Sequence, residues 1–201
     1  MKKMLRNITI ILVGASFNYS IAQVKLVSIS ELNNSIKLDM KYATTDNFLH
    51  QKVYPCKSCL LQQEVANALI SVNIEMKKMG LKMVIFDCYR PYSVQKTMYN
   101  LVKNKKYVAH PSKGSKHNSG CAVDLAFIDS NQIIDFGTDF DNFTNKANYS
   151  YRFLTKSQKT NRKILRNLMI NAGFEPYDSE WWHFNFKNCT HKILDIEFKC
   201  K

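Results

Sequence analysis

The residues Ser115-Lys116-His117-Asn118-Ser119-Gly120-Cys121-Ala122-Val123-Asp124 place a histidine and a carboxylate seven positions apart. On a helix that spacing would put both side chains on one face. Gly120 and the β-prone run 121–127 argue instead for a loop that carries His117 and feeds a strand that carries Asp124. Imidazole nitrogen and carboxylate oxygen are both good zinc ligands, and a catalytic zinc takes three protein ligands and leaves one position open. Glu180-Trp181-Trp182-His183, near the C-terminus, offers the third ligand in His183. Glu180 adds a base for the water that such a site activates. A lone H-x6-D also describes an ordinary surface histidine and a strand-end aspartate, and short motifs often match by accident. The second cluster gives the first its weight.

Several elements must position these groups. Residues 35–41 read as a strand and 42–60 as loop. Over 61–79, Val65, Leu69, Val72, Met76 and Met79 recur at spacings of three and four, and Gly80 is a fitting stop, which predicts a helix. The apolar run 81–88 predicts a buried strand. Pro91 and Ser93 open a second helix to about 102. A basic loop spans 103–116. The runs 121–127 and 132–135 form a hairpin around Asp129-Ser130-Asn131. Residues 136–155 are irregular and aromatic-rich, 160–172 read as the last helix, and 181–186 as a strand. In a regular strand positions 180 and 183 point to opposite faces, so Glu180 is expected in the preceding turn. The order predicts one α+β domain with a central, mainly antiparallel sheet flanked by helices.

Residues 1–22 read as a secretory signal peptide: Lys2, Lys3 and Arg6, then an apolar run over 8–17, then the small-x-small site Ser20-Ile21-Ala22. The apolar run is short for a membrane span, so no stable membrane insertion is expected after cleavage. The remaining residues, 23–201, suffice for one domain with a proper core. The leader takes three of the 29 basic residues and none of the 16 acidic ones, leaving a net charge of +10. A balance of this kind fits nucleic-acid binders. Export and the scattering of the lysines argue against that partner and for a solvated basic face near anionic envelope polymers. The six cysteines all follow the leader, and an even count in an exported protein favours disulfides. Sequence does not choose their connectivity, although Cys189 with Cys200 would close a short loop. Cys88 and Cys121, both in site-bearing strands, are either bridged or buried thiols.

The patterns S-x-H-x-x-G-x-A-x-D (115–124) and E-x-W-H (180–183) resemble the zinc peptidases that include D-Ala-D-Ala carboxypeptidases and VanX-type D-alanyl-D-alanine dipeptidases. Asp87-Cys88-Tyr89-Arg90-Pro91, Tyr42-Ala43-Thr44-Thr45-Asp46-Asn47-Phe48 and Phe136-Gly137-Thr138-Asp139-Phe140-Asp141 resemble the dipeptidase branch. These segments follow the family's order from about residue 39 to 183. The resemblance implies one Zn2+ per molecule on His117, Asp124 and His183, with Glu180 as the base. It implies that Arg90 stabilises the negative charge developing on the carbonyl oxygen. It also implies that Asp141 receives the substrate ammonium beside Tyr42, while Ser115 binds the substrate carboxylate. The expected function is hydrolysis of the D-Ala-D-Ala dipeptide in the periplasm or outside the cell. A carboxypeptidase or endopeptidase trimming peptidoglycan stems is the second reading, and a non-catalytic wall-binding module the third. An intact Glu180 and Arg90 count against the third, because binding alone needs neither. Oligomeric state stays open.

Overall fold

The computed structural model describes residues 24–130 and 132–200. The expected signal peptide, 1–22, lies outside the described residues. The elements run β1 (Leu26–Ser28), α1 (Ile29–Leu32), β2 (Lys37–Leu38), β3 (Leu60–Gln62), α2 (Gln63–Lys78), β4 (Lys82–Asp87), α3 (Tyr92–Leu101), β5 (Ala122–Asp129), β6 (Gln132–Ile133), α4 (Lys156–Asn171), β7 (Phe174–Tyr177) and β8 (Glu180–Phe186). The main sheet has the order β2-β4-β5-β8-β7, with β6 paired to the far end of β5. It is antiparallel except for β2 beside β4, where Lys37 and Leu38 run parallel to Val84 and Ile85. β1 and β3 form a separate two-stranded sheet. This is the expected α+β architecture, with a mixed sheet.

Helix α2 forms where the apolar period predicts it and buries Val65, Leu69, Val72 and Met76. Each such side chain removed from water contributes about 1.5–3 kcal/mol. Gly80 takes φ +74° and lets the backbone leave the helix in the left-handed conformation. Both α2 and α4 pack against the sheet and against each other. β5 is buried from Ala122 to Ile128 without alternation, because it is covered on both faces. Helix α4 starts earlier than its apolar period suggests. Thr155 and Gln158 make a reciprocal cap, with Gln158 N–H donating to Thr155 Oγ1 at 3.2 Å and Thr155 N–H to Gln158 Oε1 at 3.0 Å. Among the described residues no helix is long and apolar enough to cross a membrane.

All six cysteines are paired, as Cys56–Cys200, Cys59–Cys88 and Cys121–Cys189. The expected Cys189–Cys200 loop does not form. Antiparallel pairing brings the end of β8 back to the start of β5, where Phe186 N–H donates to Cys121 O at 2.8 Å. Cys189 therefore lands beside Cys121. The C-terminal segment then carries Cys200 across to Cys56, its Leu194 bonding both Asn118 and Tyr92 on the way. Cys88 and Cys121 are both bridged, though not to each other.

Candidate metal centre

Three strands and one tight turn build the site. In β5 and β8 Asp124 lies directly opposite His183, and side chains in such a pair share a face at about 4.5–5.5 Å between Cβ atoms. Between β4 and β5 the pairing steps from Ile85 opposite Leu125 to Asp87 opposite Asp124, leaving Phe86 as an extra residue. Asp87, Asp124 and His183 thus stand in one row across three strands. His117 is delivered by the 3-10 turn Lys116–Ser119, which is closed by a reciprocal cap between Ser115 and Asn118. Gly120 ends that turn at φ +70°, and a Cβ there would meet Leu26 Cδ2 at 2.6 Å. Both its conformation and its close packing call for glycine.

Candidate ligand atoms of three residues converge. His183 Nδ1 lies 2.9 Å from Asp124 Oδ1 and 3.2 Å from His117 Nε2, and His117 Nε2 is 3.4 Å from Asp124 Oδ2. Tetrahedral zinc with bonds of about 2.0–2.1 Å sets ligand atoms about 3.3 Å apart, so this triangle fits such an ion. Outer partners aim the rings. His117 Nδ1 donates to Cys88 O at 2.6 Å with the Asp87 carboxylate 3.6 Å away, which leaves the Nε2 lone pair for the centre. His183 Nε2 faces Asn185 Oδ1 at 3.0 Å, which leaves Nδ1. Burial works against a charge on His183, yet the Asp124 carboxylate overrides it and raises the pKa to about 9. A positive charge is favoured between these atoms. A second cluster, Cys121, Cys189 and His191, offers no thiolate because its sulfurs are bonded to each other.

Around this triangle stand the other expected groups. Glu180 Oε2 is 3.9 Å from His183 Nδ1. Burial raises the Glu180 pKa, the cationic His183 opposes and Asp124 adds to the rise. Glu180 is the first residue of β8 rather than part of a turn. It escapes strict alternation because the β7–β8 register breaks: Pro176 faces Phe184 while Tyr177 faces Glu180, so residues 181–183 have no partner in β7. Arg90 follows β4 and is buried. Its guanidinium donates to Asp87 Oδ2 at 2.7 Å and Gln95 Oε1 at 2.9 Å, and it sits 5.3 Å from the Tyr42 ring centroid. Tyr42 OH donates to Asp141 Oδ1 at 3.0 Å. Asp141 Oδ2 is buried with no hydrogen-bond partner among the described residues. Burial holds the Asp141 carboxyl well above the usual range, the Asp124 charge adds to this and the Tyr42 bond opposes it. Asp141 also adopts φ +60°, a left-handed conformation uncommon outside glycine. Its loop is gathered by Arg162 of α4, which donates to the carbonyls of Phe136, Lys146 and Asn148 at 2.7, 2.9 and 2.9 Å.

Tyr42, Arg90, Ser115, His117, Asp124, Asp141, Glu180 and His183 all border one cavity of about 380 Å³. Clefts of about 870 and 890 Å³ lie elsewhere, and volume alone would have chosen them; neither gathers a comparable donor set. Trp182 and Phe143 wall the cavity, whereas Trp181 is core. Sequence reasoning gave no role to Asp87, Asn118 or Asn185. Asp87 opens the Asp87–Pro91 motif, and Asn185 is two residues beyond His183 on the same strand face. Either position could have been read as an outer partner of a ligand.

The sequence model of the Peptidase_M15 family, described as D-ala-D-ala dipeptidase, matches residues 22–199. The protein is 29% identical over 178 residues to the D-alanyl-D-alanine dipeptidase of Escherichia coli, covering 88% of this sequence and 92% of that one. It is 27% identical over 178 residues to the D-alanyl-D-alanine dipeptidase of Enterococcus faecalis, covering 78% and 88% respectively. Against the D-alanyl-D-alanine dipeptidase of Enterococcus faecium it is 27% identical over 201 residues, covering 89% and 100%.

Proposed function

This chain belongs to the Peptidase_M15 D-Ala-D-Ala dipeptidase family of metallopeptidases, and we propose from that premise that it hydrolyses the free dipeptide D-Ala-D-Ala with one zinc ion, outside the cytoplasm. The observation that carries this reading is the convergence of eight expected side chains on one cavity, with an Asp141 carboxylate oxygen that has no partner among the described residues. His117 Nε2, Asp124 and His183 Nδ1 would hold the metal. Zinc bound there would supply Lewis-acid polarisation of a carbonyl and a water of lowered pKa, about 7.

The protein's own groups do the rest. Asp141 Oδ2 accepts from the substrate ammonium, and Tyr42 OH keeps the other oxygen occupied. Burial raises the Tyr42 pKa well above its ordinary value, so its hydroxyl stays a donor. Ser115 Oγ accepts from His117 N–H at 3.3 Å and keeps its own hydrogen for the substrate carboxylate. These contacts fix both ends of the zwitterion and hold the scissile carbonyl near the Arg90 guanidinium, which stabilises the charge that develops on its oxygen. Glu180 takes a proton from the attacking water and delivers it to the leaving amine. Its burial-raised pKa suits a group that must both accept and donate. Three disulfides support an oxidising compartment, in keeping with export.

In the test, the free dipeptide D-Ala-D-Ala and a stem pentapeptide ending in D-Ala-D-Ala are supplied separately to the purified protein, and released D-alanine is measured. The dipeptide is expected to be cleaved and the pentapeptide left intact. Cleavage of the pentapeptide alone would identify a carboxypeptidase instead.

A further inference from the structure

Asn118 is fully buried, and its carboxamide joins two segments that carry groups proposed to meet the substrate. Its Oδ1 accepts from Ser115 N–H at 2.7 Å, and its Nδ2 donates to Arg90 O at 2.8 Å. Only a side chain that accepts on one atom and donates from the next satisfies both. Arg90 N–H donates in turn to His117 O at 3.0 Å, so the Arg90 and His117 segments are tied twice. The backbone of Asn118 is pinned from behind, where its carbonyl accepts from Leu194 N–H at 2.9 Å. Leu194 O accepts from Tyr92 N–H at 3.1 Å, and Asp195 takes both the N–H and the hydroxyl of Ser93. The C-terminal segment is thus wedged against the Arg90 and His117 loops and anchored at either end by Cys121–Cys189 and Cys56–Cys200.

We propose that Asn118 is a positioning residue that holds Arg90 and Ser115 in one frame, fixing the distance between the group that meets the scissile carbonyl and the group that meets the substrate carboxylate. The assignment rests on the dipeptidase reading above. Arg90 has no freedom to hunt for the carbonyl, since Asp87 and Gln95 hold its guanidinium. Its reach is therefore set by its backbone, and Asn118 sets that backbone against Ser115. A misplacement of about 1 Å at such a site costs on the order of a hundredfold in rate.

The experiment measures kcat and KM for D-Ala-D-Ala, per bound metal, in Asn118→Ala and Asn118→Asp, alone and combined with Arg90→Ala or Ser115→Ala. Asn118→Asp keeps the acceptor for Ser115 and loses the donor to Arg90, and it serves where the alanine variant folds poorly. Asn118→Ala is expected to lower kcat/KM by about tenfold to a hundredfold and to speed hydrogen exchange at the Ser115 amide. In the Arg90→Ala and Ser115→Ala backgrounds the same change is expected to cost less, by more than the about twofold scatter of independent sites. A residue that merely supports the fold would give losses that multiply in full in both backgrounds, and that result overturns the assignment. So does full kcat/KM in Asn118→Asp. An unaltered protein that leaves D-Ala-D-Ala intact overturns the dipeptidase reading together with this one. Cleavage by the unaltered protein with multiplying losses overturns only the role of Asn118.

Discussion

Blocking the substrate's amine probes the end of the cavity that separates a dipeptidase from a carboxypeptidase. Asp141 is half-buried, its Oδ1 is taken by Tyr42 and its buried Oδ2 has no partner among the described residues. On the proposed function the ammonium of a dipeptide would fill that place with a charge-assisted hydrogen bond. Acetylation removes the positive charge and adds bulk against Tyr42 and Phe48, which border the same cavity. A buried charge stripped of its partner costs about 3–5 kcal/mol, an upper limit here because burial favours the neutral Asp141 carboxyl when no ammonium faces it. At about 1.36 kcal/mol per tenfold, that becomes roughly a hundredfold to several thousandfold in kcat/KM. Initial rates on D-Ala-D-Ala and N-acetyl-D-Ala-D-Ala measure it directly. The acetylated substrate is expected to lose up to that much, and Asp141→Ala is expected to narrow the gap by damaging mainly the free dipeptide. Equal or better cleavage of the acetylated form by the unaltered protein would refute the placement of the ammonium at Asp141.

Two further outcomes follow from the same geometry. Glu180→Gln is expected to retain the metal and lose about a hundredfold to ten-thousandfold in kcat, the usual contribution of a positioned acid–base group; loss of metal, read by elemental analysis, would make Glu180 a ligand instead. Reducing all three disulfides is expected to lower both thermal stability and activity, because Cys88 O aims His117 and Cys121 precedes the strand that carries Asp124; unchanged activity with six titrated thiols would show that the bridges do not brace the site.

The parts of this molecule legible in its sequence are those where one physical signal dominates. The three- and four-residue spacing of Val65, Leu69, Val72 and Met76 specifies α2, and the β-prone run around Asp124 marks β5 as a strand. The gathering of His117, Asp124, Glu180 and His183 at one cavity was legible because those residue types in two motifs suit one metal site, and the family's motifs pointed to Arg90, Asp141, Tyr42 and Ser115, which border the same cavity. Short elements were not readable. β1, β3 and β7 are three or four residues long, and each owes its state to a neighbour: Leu26–Ser28 pairs with Leu60–Gln62, and Phe174–Tyr177 lies along β8. The start of α4 is hidden because its first turn is polar, although Thr155 and Gln158 carry a capping signal. Disulfide partners depend on which strand ends meet, as the pairing of Cys189 with Cys121 rather than Cys200 shows. Buried polar partners such as Asp87 and Asn118 act through long-range contacts, and their own neighbours in sequence do not announce them.

Metal content measured together with turnover tests the central claim most directly. The purified protein is stripped with a chelator, titrated with zinc, and assayed on D-Ala-D-Ala at each step, in parallel with His117→Ala. One zinc per molecule is expected, with activity absent after stripping and restored in proportion to zinc bound, and with His117→Ala binding far less. Full D-Ala-D-Ala turnover by the metal-free protein, or stoichiometric zinc in His117→Ala, would contradict the account.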